Sequence, residues 1–481
     1  MVVPGLDVPT DLIVAGQRRP AQDGGRFAVL DPATGDVVAE VADGTVEDAL
    51  EAVAAAAGAG PAWAATAPRE RSLVLSRAFA LMTEREDALA ELIVRENGKA
   101  RADALGEVRY AAEFFRWFAE EAVRLPGDLR TAPSGENRIL VVHQPVGVSV
   151  LITPWNFPAA MATRKIGPAL AAGCTVVLKP ASETPLTALA IGAILAEAGA
   201  PAGVVNVLTS RRSGDVTRAM LADPRVRKLS FTGSTEVGKT LLRTAADRVV
   251  NCSMELGGNA PVVVLSDADL DLAVQGTLVA KMRNGGEACT AANRIYVHRS
   301  VADEFTRRLA DAMAALTVGP GLTDAQVGPL VNEAARDKVG DLVAEAVAGG
   351  ARLLTGGHEL PGAGWFYPPT VLADVPADAA ILGEEIFGPV APVVVFDDDE
   401  EAIRLANATD YGLVAYVFGR DLARALRVGE AIEAGMVGIN RGVVSDPAAP
   451  FGGVKQSGIG REGGFEGILE YTETKYLAVS W

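Results

Sequence analysis

Cysteine and histidine are scarce in this chain of 481 residues, which contains three of each. The three cysteines, Cys174, Cys252 and Cys289, cannot form a disulfide framework, and none of them has the spacing of a paired metal ligand. The histidines form no HExxH cluster, so a zinc site is not expected. The GxSxG turn of serine hydrolases is also missing. We therefore expect no bound metal and no Ser-His-Asp hydrolase.

Membrane-directing segments are missing as well. The start, MVVPGLDVPT, has no basic residues followed by an apolar run and does not resemble a signal peptide. The longest charge-free stretch, 139–163, is interrupted by three prolines, which is typical of buried strands and loops rather than of a membrane span. The expected location is the cytoplasm.

Basic residues are fewer than acidic ones. The chain has 44 Lys and Arg and 61 Asp and Glu, so its formal net charge is −17. An acidic surface of this kind argues against nucleic acid or an anionic membrane as a partner. Hydrophobic residues make up 49% of the chain, which predicts a well-packed globular protein. The length predicts two or three domains.

The hydrophobic pattern changes along the chain. Residues 46–123 show apolar residues at helical spacing, and 138–152 is rich in β-branched residues around Pro145. Short apolar strands then alternate with helices, first over 175–246 and again from residue 254 to about 316. This alternation predicts two α/β units in series, each with a parallel, doubly wound sheet.

Two segments suggest a nucleotide site. FTGSTEVGK (231–239) has the pattern of a strand, a glycine turn and a helix start, in which Gly233 lets the backbone approach a phosphate and Ser234 caps the helix. The usual GxGxxG is absent, since the glycines are Gly233 and Gly238. Lys179 ends another predicted strand, where open α/β sheets bind ligands. Each segment is also compatible with plain structure and a solvated lysine.

The stretch NGGEACTAANR (284–294) raises a question about Cys289. A free cysteine is usually a buried core residue, which is how we interpret Cys174 and Cys252. The alternative is a nucleophile, which needs a base, an oxyanion site and an acceptor for what the reaction removes.

Three further motifs, TPWNFP (153–158), ELGGNAP (255–261) and EEIFGPV (384–390), complete a set of five that occur in a specific order. With them the chain resembles the aldehyde dehydrogenase superfamily from about residue 10 to Trp481. The resemblance implies an α/β fold with a Rossmann-type cofactor domain, an α/β catalytic domain and a small β oligomerisation element. The domain boundaries that it implies are 1–123 with 146–253 for the dinucleotide, 254–457 for catalysis, and 124–145 with 468–481 for association.

The resemblance also implies a mechanism. Cys289 attacks the aldehyde carbon, Asn156 and the Cys289 backbone N–H hold the oxyanion, and hydride loss leaves a thioester. Glu255 then activates the water that hydrolyses it, which favours a free acid over transfer to coenzyme A. Taken singly, Asn156 could be a turn residue and Glu255 a salt-bridged carboxylate; taken together they favour catalysis.

The cofactor implied is NADP⁺ or NAD⁺. The residues expected to bind it are Thr153, Pro154, Trp155, Lys179, Ser182, Gly233, Ser234, Gly238, Leu256, Glu385 and Phe387. NAD⁺-specific relatives often have a glutamate three residues after the lysine, whereas this chain has Ser182, which leaves room for a 2′-phosphate. NADP⁺ is therefore favoured, and Arg211 and Arg212 could add positive charge there, although a solvated basic loop is at least as good an interpretation.

The substrate prediction depends on positive charge near Cys289. Arg164 and Arg283 resemble the arginines with which succinate-semialdehyde dehydrogenases hold a distal carboxylate, and Ser445 resembles a serine of the same pocket. Asp446 departs from the family's pattern and could repel an anion. One arginine could instead pair with a local acid such as Glu287. Succinic semialdehyde is thus expected, with glutaric semialdehyde, an uncharged aldehyde or a non-catalytic binding role as alternatives.

The tail YTETKYLAVSW is rich in strand formers and predicts a homodimer or homotetramer, because an exposed strand of this kind tends to pair. A tucked terminal strand is the alternative. Some semialdehyde dehydrogenases have a second cysteine two residues after the nucleophile, but Ala291 holds that position here, so a redox disulfide there is excluded.

Overall fold

A computed structural model of the protein describes residues 3–480. These residues form fourteen α-helices: α1 (Val46–Ala65), α2 (Pro68–Glu84), α3 (Glu86–Asn97), α4 (Arg101–Glu121), α5 (Pro158–Ala172), α6 (Pro185–Glu197), α7 (Ser213–Ala222), α8 (Thr235–Ala246), α9 (Leu270–Met282), α10 (Ala302–Ala314), α11 (Glu333–Ala348), α12 (Asp399–Asn407), α13 (Leu422–Ala431) and α14 (Glu466–Leu469). Within residues 3–480, no helix is both long and apolar enough to cross a membrane.

The same residues form twenty-two β-strands: β1 (Leu12–Val14), β2 (Gln17–Arg19), β3 (Arg26–Leu30), β4 (Val37–Ala42), β5 (Asp128–Thr131), β6 (Arg138–Pro145), β7 (Val148–Ile152), β8 (Thr175–Lys179), β9 (Val205–Val207), β10 (Val226–Thr232), β11 (Asn251–Glu255), β12 (Ala260–Val264), β13 (Ala292–His298), β14 (Arg352–Thr355), β15 (Thr370–Ala373), β16 (Val390–Phe396), β17 (Tyr411–Gly412), β18 (Val414–Phe418), β19 (Met436–Ile439), β20 (Val454–Lys455), β21 (Gly458–Ile459) and β22 (Thr472–Val479).

The first large sheet has eight strands in the order β2-β1-β9-β8-β7-β10-β11-β21. Its five central strands, in the order β9-β8-β7-β10-β11, run parallel; the short strands β1 and β21 are antiparallel to them, and β2 is antiparallel to β1. Every residue of β7 and β8 is buried, as expected for parallel strands with helices on both faces. Helix α5, which is also buried throughout, packs against β7 and β8.

The second large sheet has seven strands in the order β14-β15-β16-β13-β12-β18-β19, all parallel except β14. Together the two sheets confirm the predicted α/β class and the two α/β units in series. Strand β11 belongs to the first sheet and β12, which follows it closely in the chain, belongs to the second. The segment between them, 256–259, therefore lies where the two sheets meet.

A third sheet has three antiparallel strands in the order β22-β6-β5. The predicted extended segment 138–152 is in fact two strands in two different sheets, separated at Val146 and Gly147. Gly147 has a φ of 120°, a left-handed value that an L side chain rarely adopts. Strand β5 is exposed along its whole length, and most of β22 is exposed too. Trp481 lies outside the described residues.

The carboxyl ends of four adjacent strands in the first sheet lie side by side. Ile152 of β7 pairs with Lys179 of β8 and with Phe231 of β10, and Thr232 of β10 pairs with Glu255 of β11. Open α/β sheets bind their ligands at this edge. The motifs 153–158, 179–185, 231–239 and 255–261 all begin there, so the fold brings four separate stretches of sequence together.

Candidate active site

Cys289 lies in the short connection between α9 and β13, after a 3₁₀ turn over Arg283–Gly286. A Cβ at Gly286 would overlap the backbone carbonyl of Gly388, so only glycine permits this approach. A Cβ at Gly258 would likewise overlap the carbonyl of Cys289. The two glycines therefore allow the EEIFGPV and ELGGNAP segments to pack against the cysteine turn.

Cys289 is partly exposed and faces a cavity of about 300 Å³. Burial of the thiol raises its pKa to about 12, and the nearby Arg164 and Arg283 act in the opposite direction. The thiol is therefore protonated in this state. Fifteen residues line the cavity, and these are Pro154, Trp155, Asn156, Met161, Thr232, Gly233, Ser234, Leu256, Gly257, Cys289, Ala335, Lys338, Glu385, Ile386 and Phe387.

Asn156 precedes α5 and lines the same cavity as Cys289. Its side-chain amide donates one hydrogen bond to the carbonyl of Glu287 at 3.0 Å, and its Oδ1 atom is buried without a partner. An amide NH₂ group has two hydrogens, so one remains free for an oxyanion. Glu287 does not pair with an arginine as the sequence allowed; its carboxylate accepts from the Val331 N–H at 3.0 Å.

A buried ion pair that the sequence analysis missed holds Asn156 in place. Lys99 donates to the Asn156 carbonyl at 2.7 Å and to Glu107 at 2.6 Å, and both charged side chains are almost completely buried. Glu107 in turn accepts from the N–H groups of Ala159 and Ala160 at the start of α5. A carboxylate at a helix N-terminus is favourable, so this pair anchors the helix that follows the Asn156 loop.

Glu255 ends β11 and is 3% exposed, with Oε2 unpartnered among the described residues. Burial raises its pKa well above the usual range, with Glu462 adding to the rise while Arg164 and Lys165 oppose it. A buried carboxyl with a raised pKa and a free oxygen has the properties of a general base.

The cluster around Glu462 was not predicted. Lys165 donates to Glu462 at 2.6 Å and to Ser230 at 2.9 Å, and Arg164 forms an ion pair with the other Glu462 oxygen. Arg164 is only 1% exposed, and its guanidinium lies 4.2 Å from the centre of the Phe451 ring. The sequence left open that one arginine pairs with an acid. Arg164 does so, and its partner is Glu462.

Arg283 is only partly buried, and its Nη1 donates to the Ser445 hydroxyl at 3.1 Å. Its guanidinium lies 5.0 Å from the centre of the Phe157 ring. Asp446 is exposed, and its carboxylate accepts from the Ala448 N–H at 2.9 Å. Asp446, the acid that raised doubt about an anionic substrate, thus accepts a hydrogen bond within its own loop.

Seven of the predicted cofactor residues line the cavity of Cys289: Pro154, Trp155, Gly233, Ser234, Leu256, Glu385 and Phe387. Ser234 caps α8, accepting from the Val237 N–H. At Gly233 a Cβ would lie 2.5 Å from the Phe231 ring, so the turn admits no side chain. The rings of Trp155 and Phe387 meet edge to face at 5.4 Å. Glu385 accepts from the Gly258 N–H at 2.9 Å.

The other four predicted cofactor residues do not line this cavity. Thr153 is buried and donates its N–H to the Lys179 carbonyl at 3.2 Å. Gly238 lies beneath Leu256, whose side chain occupies the space of a Cβ. Ser182 lines a neighbouring cleft together with Arg211. Within residues 3–480, no group of three or more His, Cys, Asp or Glu side chains could hold a metal ion.

Lys179 is buried, and burial lowers its pKa to about 8, against the influence of Glu183. Its ammonium donates to the Pro180 carbonyl at 3.1 Å. Arg212 forms an ion pair with Asp23 at 2.7 Å, so of the two predicted arginines only Arg211 faces the cleft of Ser182.

The two parallel sheets meet at a cavity, and a partly exposed cysteine lies in that cavity. This arrangement is typical of an α/β enzyme, whereas a cysteine that only fills a core is fully buried. The chain belongs to the aldehyde dehydrogenase family, whose sequence profile matches residues 19–477. The family suggested by the five motifs is therefore confirmed.

Known proteins are similar over nearly the whole chain. A succinate-semialdehyde dehydrogenase of Paenarthrobacter nicotinovorans is 58% identical over 92% of this chain and 99% of its own. A glutarate-semialdehyde dehydrogenase of Pseudomonas putida is 49% identical over 97% of each chain. The crystal structure of an NADP-dependent enzyme of Escherichia coli superposes with a TM-score of 0.97, at 47% identity over 98% of each chain.

Proposed function

We propose that this aldehyde dehydrogenase oxidises succinic semialdehyde to succinate with an NAD(P)⁺ cofactor. The observation that carries the proposal is the pair of guanidiniums, Arg164 and Arg283, that act on the Cys289 thiol. Arg164 and Lys165 share one carboxylate, Glu462. Arg164 and Arg283 thus offer two guanidiniums near the thiol, where Glu385 and Glu255 act in the opposite direction; such a pair suits a substrate with a carboxylate at its far end.

The first half of the reaction uses Cys289 and Asn156. The Cys289 thiol releases its proton to solvent water, and its sulfur bonds to the aldehyde carbon to give a hemithioacetal, whose oxygen carries the negative charge. The oxyanion formed accepts from the free hydrogen of the Asn156 amide and from the Cys289 backbone N–H, and one such donor is worth about 3 kcal/mol. The bound nicotinamide supplies the hydride acceptor.

The second half uses Glu255. After the hydride is lost, the acyl group remains on Cys289 as a thioester. The Glu255 carboxylate takes a proton from water, whose oxygen bonds to the acyl carbon, and the C–S bond breaks to release the acid and the thiolate. Arg164 and Lys165 favour the charged form of Glu255 that this step requires.

The cavity fits a dinucleotide. Gly233 carries no side chain and directly precedes Ser234, the N-cap of α8, so a phosphate could approach the backbone at the start of this helix. Trp155, Leu256 and Phe387 provide apolar walls, and Glu385 would hold the nicotinamide ribose. Lys179 and Thr153 lie at the strand ends nearby, and Gly238 lets Leu256 pack closely; we assign all of these to the cofactor site.

NADP⁺ is the proposed preferred cofactor, because Ser182 and Arg211 line the same cleft. Ser182→Glu is expected to lower kcat/KM for NADP⁺ at least tenfold, since a carboxylate there repels a 2′-phosphate. The value for NAD⁺ should change less. Initial rates with each nucleotide check this, with Ser182→Ala as the matched control; equal losses for both nucleotides would contradict the assignment.

The three sheets suggest that the chain has three functional regions. We assign 1–123 and 146–253 to the dinucleotide, 254–457 to catalysis, and 124–145 with 468–481 to association. Leu129 and Tyr476 of the third sheet are 61% and 55% exposed, and unpaired strand edges favour a partner chain, so a homodimer or homotetramer is proposed. The three thiols are free, which fits the reducing cytoplasm.

The test of the proposed substrate compares kcat/KM for succinic semialdehyde with that for butanal, an uncharged aldehyde of the same length, with cofactor saturating. We expect a preference of about tenfold or more for the carboxylate, on the order of 1.4 kcal/mol. Glutaric semialdehyde serves as the third substrate, because a relative that acts on glutarate semialdehyde is almost as similar. No preference over butanal would overturn the substrate while leaving the family chemistry in place.

A further inference from the structure

Tyr110 of α4 presents a buried hydroxyl with no hydrogen-bond partner among the described residues. Its ring packs edge to face against Phe114 at 4.9 Å and lies 5.6 Å from the guanidinium of Arg283. A buried hydroxyl without a partner is costly. The motifs of the sequence gave no indication of this residue.

A second unpartnered donor belongs to the same neighbourhood. The Nη1 atom of Arg164 is buried and free, whereas its Nη2 contacts the sulfur of Met161 at 3.2 Å and its Nε side faces Glu462. Arginine has no acceptor atom. A guanidinium that is held on one side by Glu462 therefore offers its remaining N–H groups to an anion.

The two free donors share their electrostatic surroundings with Arg283 and Ser445. Burial raises the pKa of Tyr110, while Arg164, Arg283 and Ser445 act to lower it. Arg164 and Ser445 face the Tyr110 oxygen, and the Arg283 guanidinium lies 5.6 Å from the centre of the Tyr110 ring. Arg283 already donates to Ser445, so the hydroxyl hydrogen of Ser445 is also available.

One chemical group would satisfy these donors together. A carboxylate has two oxygens and about four acceptor sites and no hydrogen to donate, so it can accept from two guanidiniums and two hydroxyls. The methyl end of an uncharged aldehyde could accept from none of them. The cluster is thus complementary to the far end of a semialdehyde acid.

We propose that the Tyr110 hydroxyl is a substrate-binding donor that holds the distal carboxylate together with Arg164, Arg283 and Ser445. The inference rests on the proposed function and adds the contribution of α4 to the site. Tyr110 thereby distinguishes carboxylated from uncharged aldehydes without touching the reacting carbon.

The test is Tyr110→Phe, which removes one oxygen and keeps the ring. We expect kcat/KM for succinic semialdehyde to fall about 10- to 30-fold, as for a lost hydrogen bond to a charged group, mainly through a higher KM. The values for butanal and for the nucleotide should stay within about twofold. Because phenylalanine keeps the buried ring and its contact with Phe114, the melting temperature should change little.

A binding measurement separates this role from a structural one. Calorimetric titration of the nucleotide-bound enzyme with succinate should show Kd raised by a similar factor in Tyr110→Phe. The matched control is Tyr367→Phe, since Tyr367 is a buried tyrosine of another core cluster, and it should leave both constants unchanged.

The outcomes distinguish the two proposals. Equal losses for both aldehydes, or an unchanged KM for succinic semialdehyde in a parent enzyme that prefers it, would overturn the role of Tyr110 alone. A parent enzyme without any preference would overturn the proposed substrate first.

Discussion

Glu255→Gln is expected to leave one rapid turnover per active site and to slow the steady rate by a factor of about 10³ to 10⁴, the upper range for loss of a general base. Glutamine keeps the shape of the side chain but cannot take a proton from water. Acylation of Cys289 does not need that proton, so one equivalent of reduced nucleotide should still form. Stopped-flow absorbance of the nucleotide, followed by steady-state rates, measures both phases.

The pH dependence of the steady-state rate provides a second test of the role of Glu255. Because the pKa of Glu255 is raised, its carboxyl keeps its proton to a higher pH than an exposed glutamate does. Hydrolysis of the thioester should therefore accelerate as pH rises and the carboxylate forms, and Glu255→Gln should lose that rise. Cys289→Ala, as the control, should show neither burst nor turnover. A variant that keeps more than a tenth of the parent rate would assign the base to another group.

Arg283→Ala is expected to lower kcat/KM for succinic semialdehyde about 100- to 1000-fold, because hydrogen bonds to a charged group contribute about 1.5–3 kcal/mol each and a guanidinium can make two to a carboxylate. The value for butanal should change by less than about threefold. Initial-rate kinetics with both aldehydes measure the split. The kcat/KM of Arg283→Lys for succinic semialdehyde should lie between those of the parent and of Arg283→Ala, because lysine keeps the charge but lacks the planar guanidinium.

Arg283 is a better choice for this test than Arg164. Removal of Arg164 would leave Glu462 buried with Lys165 as its remaining cation, and breaking a buried ion pair costs about 3–5 kcal/mol of stability. Within residues 3–480, Arg283 forms no ion pair and donates a hydrogen bond to the neutral hydroxyl of Ser445. Arg352→Ala, which breaks an exposed pair with Asp374, is the matched control. Similar losses for both aldehydes would show that Arg283 shapes the cavity rather than binding a carboxylate.

The fold was predictable from the sequence wherever local patterns determine it. Buried parallel strands such as β8 are continuous apolar runs, and the helices between them repeat every three to four residues. The short strands β1 to β4 were missed, since β1 gains its burial only by joining the distant β9. Segment 138–152 was predicted as one extended unit because its composition does not show that its halves belong to different sheets.

The candidate site was predictable where a motif marks it, and not where partners meet across the chain. Cys289 and Asn156 came from motifs and share one cavity. Glu462 pairs with Lys165 across 297 residues and also with Arg164, and no local pattern gives such a contact. Tyr110 was missed for the same reason, because its helix is an ordinary amphipathic one and only packing brings its hydroxyl to the arginines.

The long-range partnership of Glu462 also has a consequence for biosynthesis. A ribosome makes the helix of Arg164 and Lys165 about 300 residues before the acid that neutralises them. Until that acid emerges, two cations face the interior without a counter-ion, which is strongly unfavourable. The nascent amino-terminal half should therefore keep this helix loosely packed, and proteolysis of stalled nascent chains should cut there until residue 462 has left the exit tunnel.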